Sequence, residues 1–265
     1  MTKTINFKKY SSLKIGKELE VFVIDTYTYP KDHYLIGSAN NLLLGNRPPK
    51  LMVLSKKYDY IKLENNQLII GAATPSGKII SFCKIHDFGG FEFMSHLPGT
   101  LGGLVKMNAG LKEFEIKNII NAVNIDGTYI SKDDLKFTYR KTNIEGIIFE
   151  ATFKISKGFD QEKVTLFKNM RANQPKDPSA GSFFKNPQGD SAGRLIQEAG
   201  LKGYKVGGAA WSEKHANFLV NLGDATYDDA LTLILEAKKR VYEKFDIHLE
   251  DEVEVLDLDY HKNKI

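Results

Sequence analysis

What this chain lacks narrows it first. Of its 265 residues one is cysteine, Cys83, so no intramolecular disulfide forms and a cysteine-rich zinc site is excluded. Such sparing use of thiols suits a reducing compartment. The six histidines (His33, His86, His96, His215, His248 and His261) never stand at i, i+4 spacing, so no metal site is expected. No apolar run approaches the roughly 18 residues needed to cross a bilayer. Residues 1–16 carry lysines with no apolar run behind them, so no signal peptide is expected. Basic residues never run to five, and the formal net charge of +4 is too mild to argue for nucleic acid. The expectation is a cytoplasmic protein with neither a membrane nor a nucleic-acid partner.

Several common motifs are missing too. Gly71 to Lys78 has P-loop character, but the spacing is one residue too long, and Ile79 stands where a Ser or Thr would bind magnesium. No Gly-x-Gly-x-x-Gly occurs, so an ordinary dinucleotide fold is not indicated. No Gly-x-Ser-x-Gly elbow occurs either.

What is present is an ordinary globular composition, 42% hydrophobic and 26% charged, with room for two or three small cores. Strands are expected over Leu19–Asp25, Tyr34–Ile36, Gln67–Ala73, Ile119–Tyr129 and Ile147–Ile155. Asn46–Pro49 reads as a boundary. Thr74-Pro75 opens a helix through Ile79, Ile80, Phe82 and Cys83 that Gly89-Gly90 stops. Cys83 reads as a small core residue. Ser191 caps a helix ending at Gly200, and Thr226 with Asp229 forms a capping box for a longer one. The apolar side of that helix is Leu231, Ile234, Leu235, Val241, Tyr242 and Phe245. After it, Ile247, Leu249, Val253 and Val255 share one side of a strand, with Glu250, Glu252 and Glu254 on the other.

Three segments stand out. Gly37 to Asn41 and Pro98 to Gly103 are glycine-rich loops about sixty residues apart, each following a segment anchored in a sheet. Such loops let main-chain N–H groups approach an anion, and two of them suit the ends of one long diphosphate. The third is Ser179 to Pro187, Ser-Ala-Gly-Ser-Phe-Phe-Lys-Asn-Pro, which sets a hydroxyl, a cation and an amide after a flexible glycine. Alone, it reads equally as a turn entering a half-buried strand.

Together these residues resemble the UDP-N-acetylenolpyruvoylglucosamine reductases of bacterial cell-wall synthesis. The match begins at Gly-Ser-Ala-Asn-Asn-Leu-Leu and passes through Pro-Gly-Thr-Leu-Gly-Gly and Met-Asn-Ala-Gly. It continues at Tyr139-Arg140, at Arg171 with Gln174-Pro175, and at Ser-Ala-Gly-Ser-Phe-Phe-Lys-Asn-Pro. Ala199 to Gly203, His215 to Phe218 and Leu249 to Val253 complete it, in order, over more than four fifths of the chain. The resemblance implies an α+β chain with a FAD-binding fold of the vanillyl-alcohol-oxidase type and a C-terminal α+β substrate-binding domain. The divisions expected are 1–48 and 49–157 for the two FAD-binding subdomains and 158–265 for the substrate domain. It implies a monomer with bound FAD and NADPH as co-substrate, reducing UDP-N-acetylglucosamine enolpyruvate to UDP-N-acetylmuramate. The short stretch between Arg140 and Arg171 has no room for a substrate-covering tyrosine insertion, so the chain resembles the compact branch.

Site residues follow by motif match. Gly37, Ser38, Ala39, Asn40, Asn41 and Leu42 would hold the flavin, with Pro98, Gly99, Thr100, Gly102 and Gly103, and with Asn108, Ala109 and Gly110. The first loop departs from the family's three glycines before Ser-Asn, and Leu111-Lys112 replace the usual Ala-Tyr-Gly continuation. Ser182 matches the proton donor, Arg140 the arginine that faces the substrate carboxylate, and Glu252 the C-terminal glutamate. Alternation alone does not choose among Glu250, Glu252 and Glu254; the motif register selects Glu252. Gln174, Lys185, Asn186 and His215 match substrate-pocket positions. A flavoprotein oxidase of the same fold would share both glycine loops without needing Ser182, Lys185 and Asn186. A non-catalytic nucleotide-sugar binder would need neither FAD nor Arg140 and Glu252.

Overall fold

The computed structural model describes residues 1–260, so His261 lies outside the described residues. Helices and strands mix along the whole of it. Contacts divide the chain into two units. The first comprises Met1–Lys3, Val21–Ser38 and Leu51–Ala172; the second comprises Thr4–Glu20, Ala39–Lys50 and the chain from Asn173 onward. The first fifty residues therefore contribute to both units, and the chain returns to the first at Leu51, just past Pro48-Pro49.

The chain opens with β1 (Thr2–Asn6), the single turn α1 (Phe7–Tyr10) and β2 (Glu18–Ile24). Next come β3 (Tyr34–Leu35), β4 (Leu42–Leu44) and β5 (Leu51–Leu54). Strands β1, β2, β5 and β3 form one sheet in that order, with β2 and β3 both parallel to β5. The second sheet lies wholly in the first unit and is antiparallel throughout. Its order is β11-β10-β14-β7-β6, from Thr128–Ser131 (β11), Ile120–Ile125 (β10), Ile148–Lys154 (β14), Gln67–Gly71 (β7) and Ile61–Glu64 (β6). Two short hairpins interrupt its chain order: β8–β9 (Gly110–Leu111, Phe114–Glu115) and β12–β13 (Phe137–Thr138, Lys141–Thr142). Leu68, Ile70, Val123, Ala151 and Phe153 of the sheet are fully buried. They share one cluster with Ile79 and Cys83 of α2 (Ser76–Ile85), Leu101 and Val105 of α3 (Leu101–Lys106) and Phe167 of α4 (Gln161–Met170). Each large apolar side chain buried this way contributes about 1.5–3 kcal/mol.

The second unit is built on an antiparallel sheet of order β15-β18-β17-β16: Ser179–Ser182 (β15), Phe218–Asn221 (β18), Ala209–Trp211 (β17) and Lys205–Val206 (β16). Leu195 and Ile196 of α5 (Ala192–Glu198) and Leu233, Ile234 and Val241 of α6 (Tyr227–Phe245) pack in one cluster with the fully buried Trp211. The indole N–H of Trp211 donates to Leu233 O at 3.3 Å, satisfying its one donor. β19 (Glu254–Leu256) runs parallel to β4, in the register Glu254↔Leu42 to Leu256↔Leu44.

Several expectations hold and several need correction. Ser191 caps α5 through its side chain, and the Thr226–Asp229 capping box is present at α6. Thr74 does not cap α2. Its hydroxyl donates to Tyr60 O, Pro75 takes the cap position, and the helix ends at Ile85 with Asp87 left-handed rather than at Gly89. The strand expected over 119–129 is a hairpin, because Asp126 and Gly127 both take positive φ and turn the chain. On α6 the buried stripe includes Ile234 and Val241 with Leu233 and Ala237; Leu231, Leu235 and Phe245 are half-buried, and Tyr242 is exposed and stacks on His248. Only Glu254–Leu256 of the expected 247–255 strand is a named strand. The alternation nevertheless holds by burial: Leu249, Val253 and Val255 are buried, and Glu250 and Glu254 are exposed.

Burial pushes the Cys83 thiol up to about 12, with Glu92 adding to the effect. The thiol therefore stays protonated and enclosed at pH 8. A thiol reagent should leave the native protein unlabelled and label one cysteine per chain in denaturant; stoichiometric native labelling would contradict this burial.

Candidate functional site

In the first unit the two glycine-rich loops meet. A Cβ placed on Gly37 would lie 2.9 Å from Thr100 Oγ1, so a side chain there would have to displace the Thr100 hydroxyl. The second loop is tied to the end of β7. Leu101 N–H donates to Thr74 O and Gly102 N–H to Ala72 O, both at 2.9 Å, and Ser76 N–H donates to Gly99 O at 2.9 Å. Gly103 already lies in α3, and beyond its own helix backbone and chain neighbours no atom of the described residues lies within 4 Å of a Cβ built there, so this side is open space. From Ala39 the first loop belongs to the second unit. There Ala39 has φ 52° and accepts from Ser12 N–H at 3.1 Å, and the Asn40 side chain takes the Ser12 hydroxyl.

Arg140 occupies the two-residue turn of the β12–β13 hairpin at φ 55°, a left-handed conformation that a bulky residue adopts only when its surroundings enforce it. Those surroundings are the Asn108–Gly110 segment. Arg140 Nη2 donates to Gly110 O at 2.8 Å. Asn108 is fully buried and donates to Thr138 O and Glu115 Oε2, each at 3.1 Å, while accepting from Lys117 N–H. The Asn108 side chain thus acts as scaffold for the Arg140 turn. The Tyr139 ring lies 5.0 Å from the Arg140 guanidinium. Arg171, to which the sequence reading assigned no role, lies close enough to Arg140 that its pKa is lowered, first by burial and then by that second guanidinium. Two neighbouring cations favour an anion beside them.

In the second unit one pairing assembles the remaining groups. Phe183 O accepts from Glu252 N–H at 2.8 Å and from Val253 N–H at 3.2 Å, and Lys185 N–H donates to Glu250 O at 2.8 Å. Phe184 and Asp251 face each other across an isolated bridge. Buried Asn217 locks the other edge: its side chain accepts from Phe184 N–H at 2.9 Å and donates to Phe184 O at 2.8 Å. Ser182 ends β15 opposite Phe218, after a register shift at Gly181, which has φ 89°. Ser182 and Glu252 are both half-buried on this edge. The Ser182 hydroxyl makes no hydrogen bond among the described residues, while the Glu252 carbonyl receives Asn41 Nδ2 at 2.8 Å.

The expected substrate residues divide. The Lys185 ammonium is ion-paired with the exposed Glu250 carboxylate. Asn186 Oδ1 accepts from Ala192 N–H at 3.1 Å, at the start of α5. His215 Nδ1 accepts from Asn217 N–H at 3.3 Å, and its ring lies 4.9 Å from that of Phe218. Gln174 is half-buried on the segment leading to β15.

Residues 174–256 match the C-terminal domain of UDP-N-acetylenolpyruvoylglucosamine reductase. Over 263 residues, 96% of this chain and 99% of the relative, the sequence is 49% identical to the UDP-N-acetylenolpyruvoylglucosamine reductase of Helicobacter hepaticus. The chain belongs to the UDP-N-acetylenolpyruvoylglucosamine reductase family. A reductase of Campylobacter jejuni is 46% identical over 258 residues, covering 95% of this chain and 99% of that one. The crystal structure of the reductase from Thermus caldophilus matches with a TM-score of 0.84 at 32% identity, covering 96% and 98% of the two chains. This is a family of oxidoreductases in peptidoglycan synthesis.

Two contacts escaped the sequence. Asn41 read as a loop ligand, yet its amide holds the Glu252 carbonyl, a contact 211 residues apart that no local pattern shows. Arg171 lies in a motif shared with the family, with no local sign of its proximity to Arg140.

Two outcomes follow. A Cβ at Gly181 meets no atom within 4 Å, so Gly181→Ala changes only backbone preference. It should lower stability by about 1 kcal/mol in denaturant titration, and no loss would contradict the left-handed conformation. Burial lowers the His215 pKa below the ordinary 6.5. Its ring should therefore titrate by NMR at more acid pH than a free imidazole, and a midpoint at or above 6.5 would contradict the burial. Because the unfolded chain takes up that proton first, this group's contribution to stability is present above pH 6.5 and is lost as pH falls through the window below it.

Proposed function

We propose that this chain reduces UDP-N-acetylglucosamine enolpyruvate to UDP-N-acetylmuramate, with NADPH as reductant and FAD as bound cofactor, acting in the cytoplasm as a monomer. The observation that carries this reading is the pairing of Phe183–Lys185 with Glu250–Val253. It sets an unengaged hydroxyl, Ser182, and a carboxylate, Glu252, on one edge from positions 70 residues apart (252 − 182).

The residues present fit FAD. Gly37 packs on Thr100 where a side chain would collide, and Gly103 faces open space. Main-chain groups in such a cradle suit a diphosphate. By motif match, residues 37–42, 98–103 and 108–110 would hold the cofactor, in a fold of the vanillyl-alcohol-oxidase type. On this reading 1–48 and 49–157 serve FAD, and 158 onward serves the substrate. When bound, FAD supplies the redox relay between NADPH and the enolpyruvyl double bond.

The chain's own residues handle charge and protons. Reduction of the double bond leaves negative charge on the carbon that bears the ether oxygen and the carboxylate. Arg140 is permanently cationic and grips that carboxylate through a bidentate fork, favouring the enolate-like transition state. Its rigid turn and its bond to Gly110 O fix the direction of the fork. The Ser182 hydroxyl gives its proton to the same carbon. An unassisted hydroxyl is a weak acid, but the developing carbanion is a strong base, which narrows the mismatch. Glu252 supports the enolate in a protonated or hydrogen-bonded state. Lys185, Asn186, Gln174 and His215 line the sugar-nucleotide side, with the Lys185–Glu250 ion pair opening to admit a phosphate.

The holoenzyme should absorb near about 450 nm, bleach anaerobically with NADPH and recover on adding the enolpyruvyl sugar nucleotide. Colourless purified protein that takes up no flavin would contradict the reading. Ser182→Ala should leave flavin reduction by NADPH near the wild-type rate and slow reoxidation by substrate at least about 100-fold. Equal loss of both half-reactions would remove Ser182 as proton donor. Arg140→Lys should lower substrate turnover roughly 10- to 100-fold, since a point charge does not replace a fork, and normal turnover would remove Arg140 from the carboxylate.

A further inference from the structure

Beneath Glu252 lies a charged cluster that the proposed chemistry does not use. Residues 249 to 253 alternate: Leu249 and Val253 are buried in the core of the second unit, and Asp251 faces the same way between them. Lys238, on α6, places its ammonium 2.7 Å from Asp251 Oδ1 and donates to Oδ2 at 2.9 Å. The buried Tyr260 hydroxyl donates to the same Oδ2 at 2.8 Å and accepts from Lys238 at 2.9 Å. Burial and the Asp251 carboxylate both raise the Tyr260 pKa, so the phenol keeps its proton and remains a donor. The Lys238 ammonium also lies 5.9 Å from the Phe184 ring, and Phe184 is the residue bridged to Asp251. The cluster therefore grips the residue immediately before Glu252 and touches the second residue after Ser182.

On its other side Glu252 is held by main-chain atoms and by Asn41, as described above. A carboxylate on a short loop-like stretch needs such support, because a shift of about 1 Å at a catalytic group costs on the order of 100-fold in rate. The pair is half-buried, and the Lys238 ammonium and the Tyr260 hydroxyl together fix the Asp251 carboxylate from two directions.

We propose that Lys238, acting through Asp251 and with Tyr260, is a positioning residue that aims Glu252 at the substrate. This rests on the reading of Glu252 as the group that supports the enolate. Lys238 is remote in sequence from both glycine-rich loops and from Arg140, so its replacement should spare the cofactor side of the reaction.

The test uses the flavin-loaded enzyme in stopped flow, with reduction by NADPH and reoxidation by substrate measured separately for Lys238→Met, Lys238→Arg, Tyr260→Phe and Glu252→Gln. Lys238→Met should reoxidise about 10-fold or more slowly at saturating substrate, with reduction within about twofold of wild type, and Lys238→Arg should recover most of the loss. Tyr260→Phe removes one oxygen from the cluster and should show a smaller loss, confined to reoxidation. If Lys238→Met does not fold, Tyr260→Phe decides. Wild-type reoxidation in both variants beside an impaired Glu252→Gln would overturn the positioning role alone, as would equal losses in the two half-reactions. Wild-type reoxidation in Glu252→Gln would overturn the assignment of Glu252, and the positioning role with it.

Discussion

The pairing of Phe183–Lys185 with Glu250–Val253 is the contact on which the placement of Ser182 and Glu252 in the second unit depends. It is short, three backbone hydrogen bonds and one bridge, and neither partner segment is long enough to hold itself. Its stability comes from both flanks. Asn217 imitates a strand neighbour by bonding both main-chain groups of Phe184, and the Phe183, Phe184 and Trp211 rings pack into the core below. The parallel β4–β19 pairing continues the line and brings Asn41 to the Glu252 carbonyl. A loop expected to serve a cofactor thus also fixes the main chain at Glu252.

The first unit follows the same economy. The second glycine-rich loop hangs on main-chain acceptors at the end of β7, and Gly37, with no side chain of its own, comes up against the Thr100 hydroxyl. Arg140 sits in a strained turn that Asn108 and Gly110 hold from behind. The Met-Asn-Ala-Gly segment accordingly acts as a brace for a cation, a role its sequence does not announce.

Much of this was legible in the chain and some of it was not, for physical reasons. Caps were readable because Ser191 and Thr226–Asp229 act over three residues. The alternation at 249–255 correctly sorted buried from exposed side chains even where no regular strand forms. Thr74 misled because a hydroxyl that can cap a helix can equally donate to a carbonyl brought in by folding, here Tyr60 O. The hairpin at Asp126-Gly127 was hidden by apolar residues continuing on both sides of it. Ser182, Arg140 and Glu252 were reachable only through motif resemblance. Alternation left three glutamates equivalent, and Asn41, Lys238 and Tyr260 act through contacts that no local spacing encodes.

The central claim is that Ser182 and Glu252 serve one protonation step. A double-mutant cycle of Ser182→Ala and Glu252→Gln, read in the reoxidation of reduced enzyme by substrate, tests it most directly. The account predicts strong non-additivity, with the double variant within about threefold of the slower single variant. Losses that multiply, as for two independent sites, would contradict it.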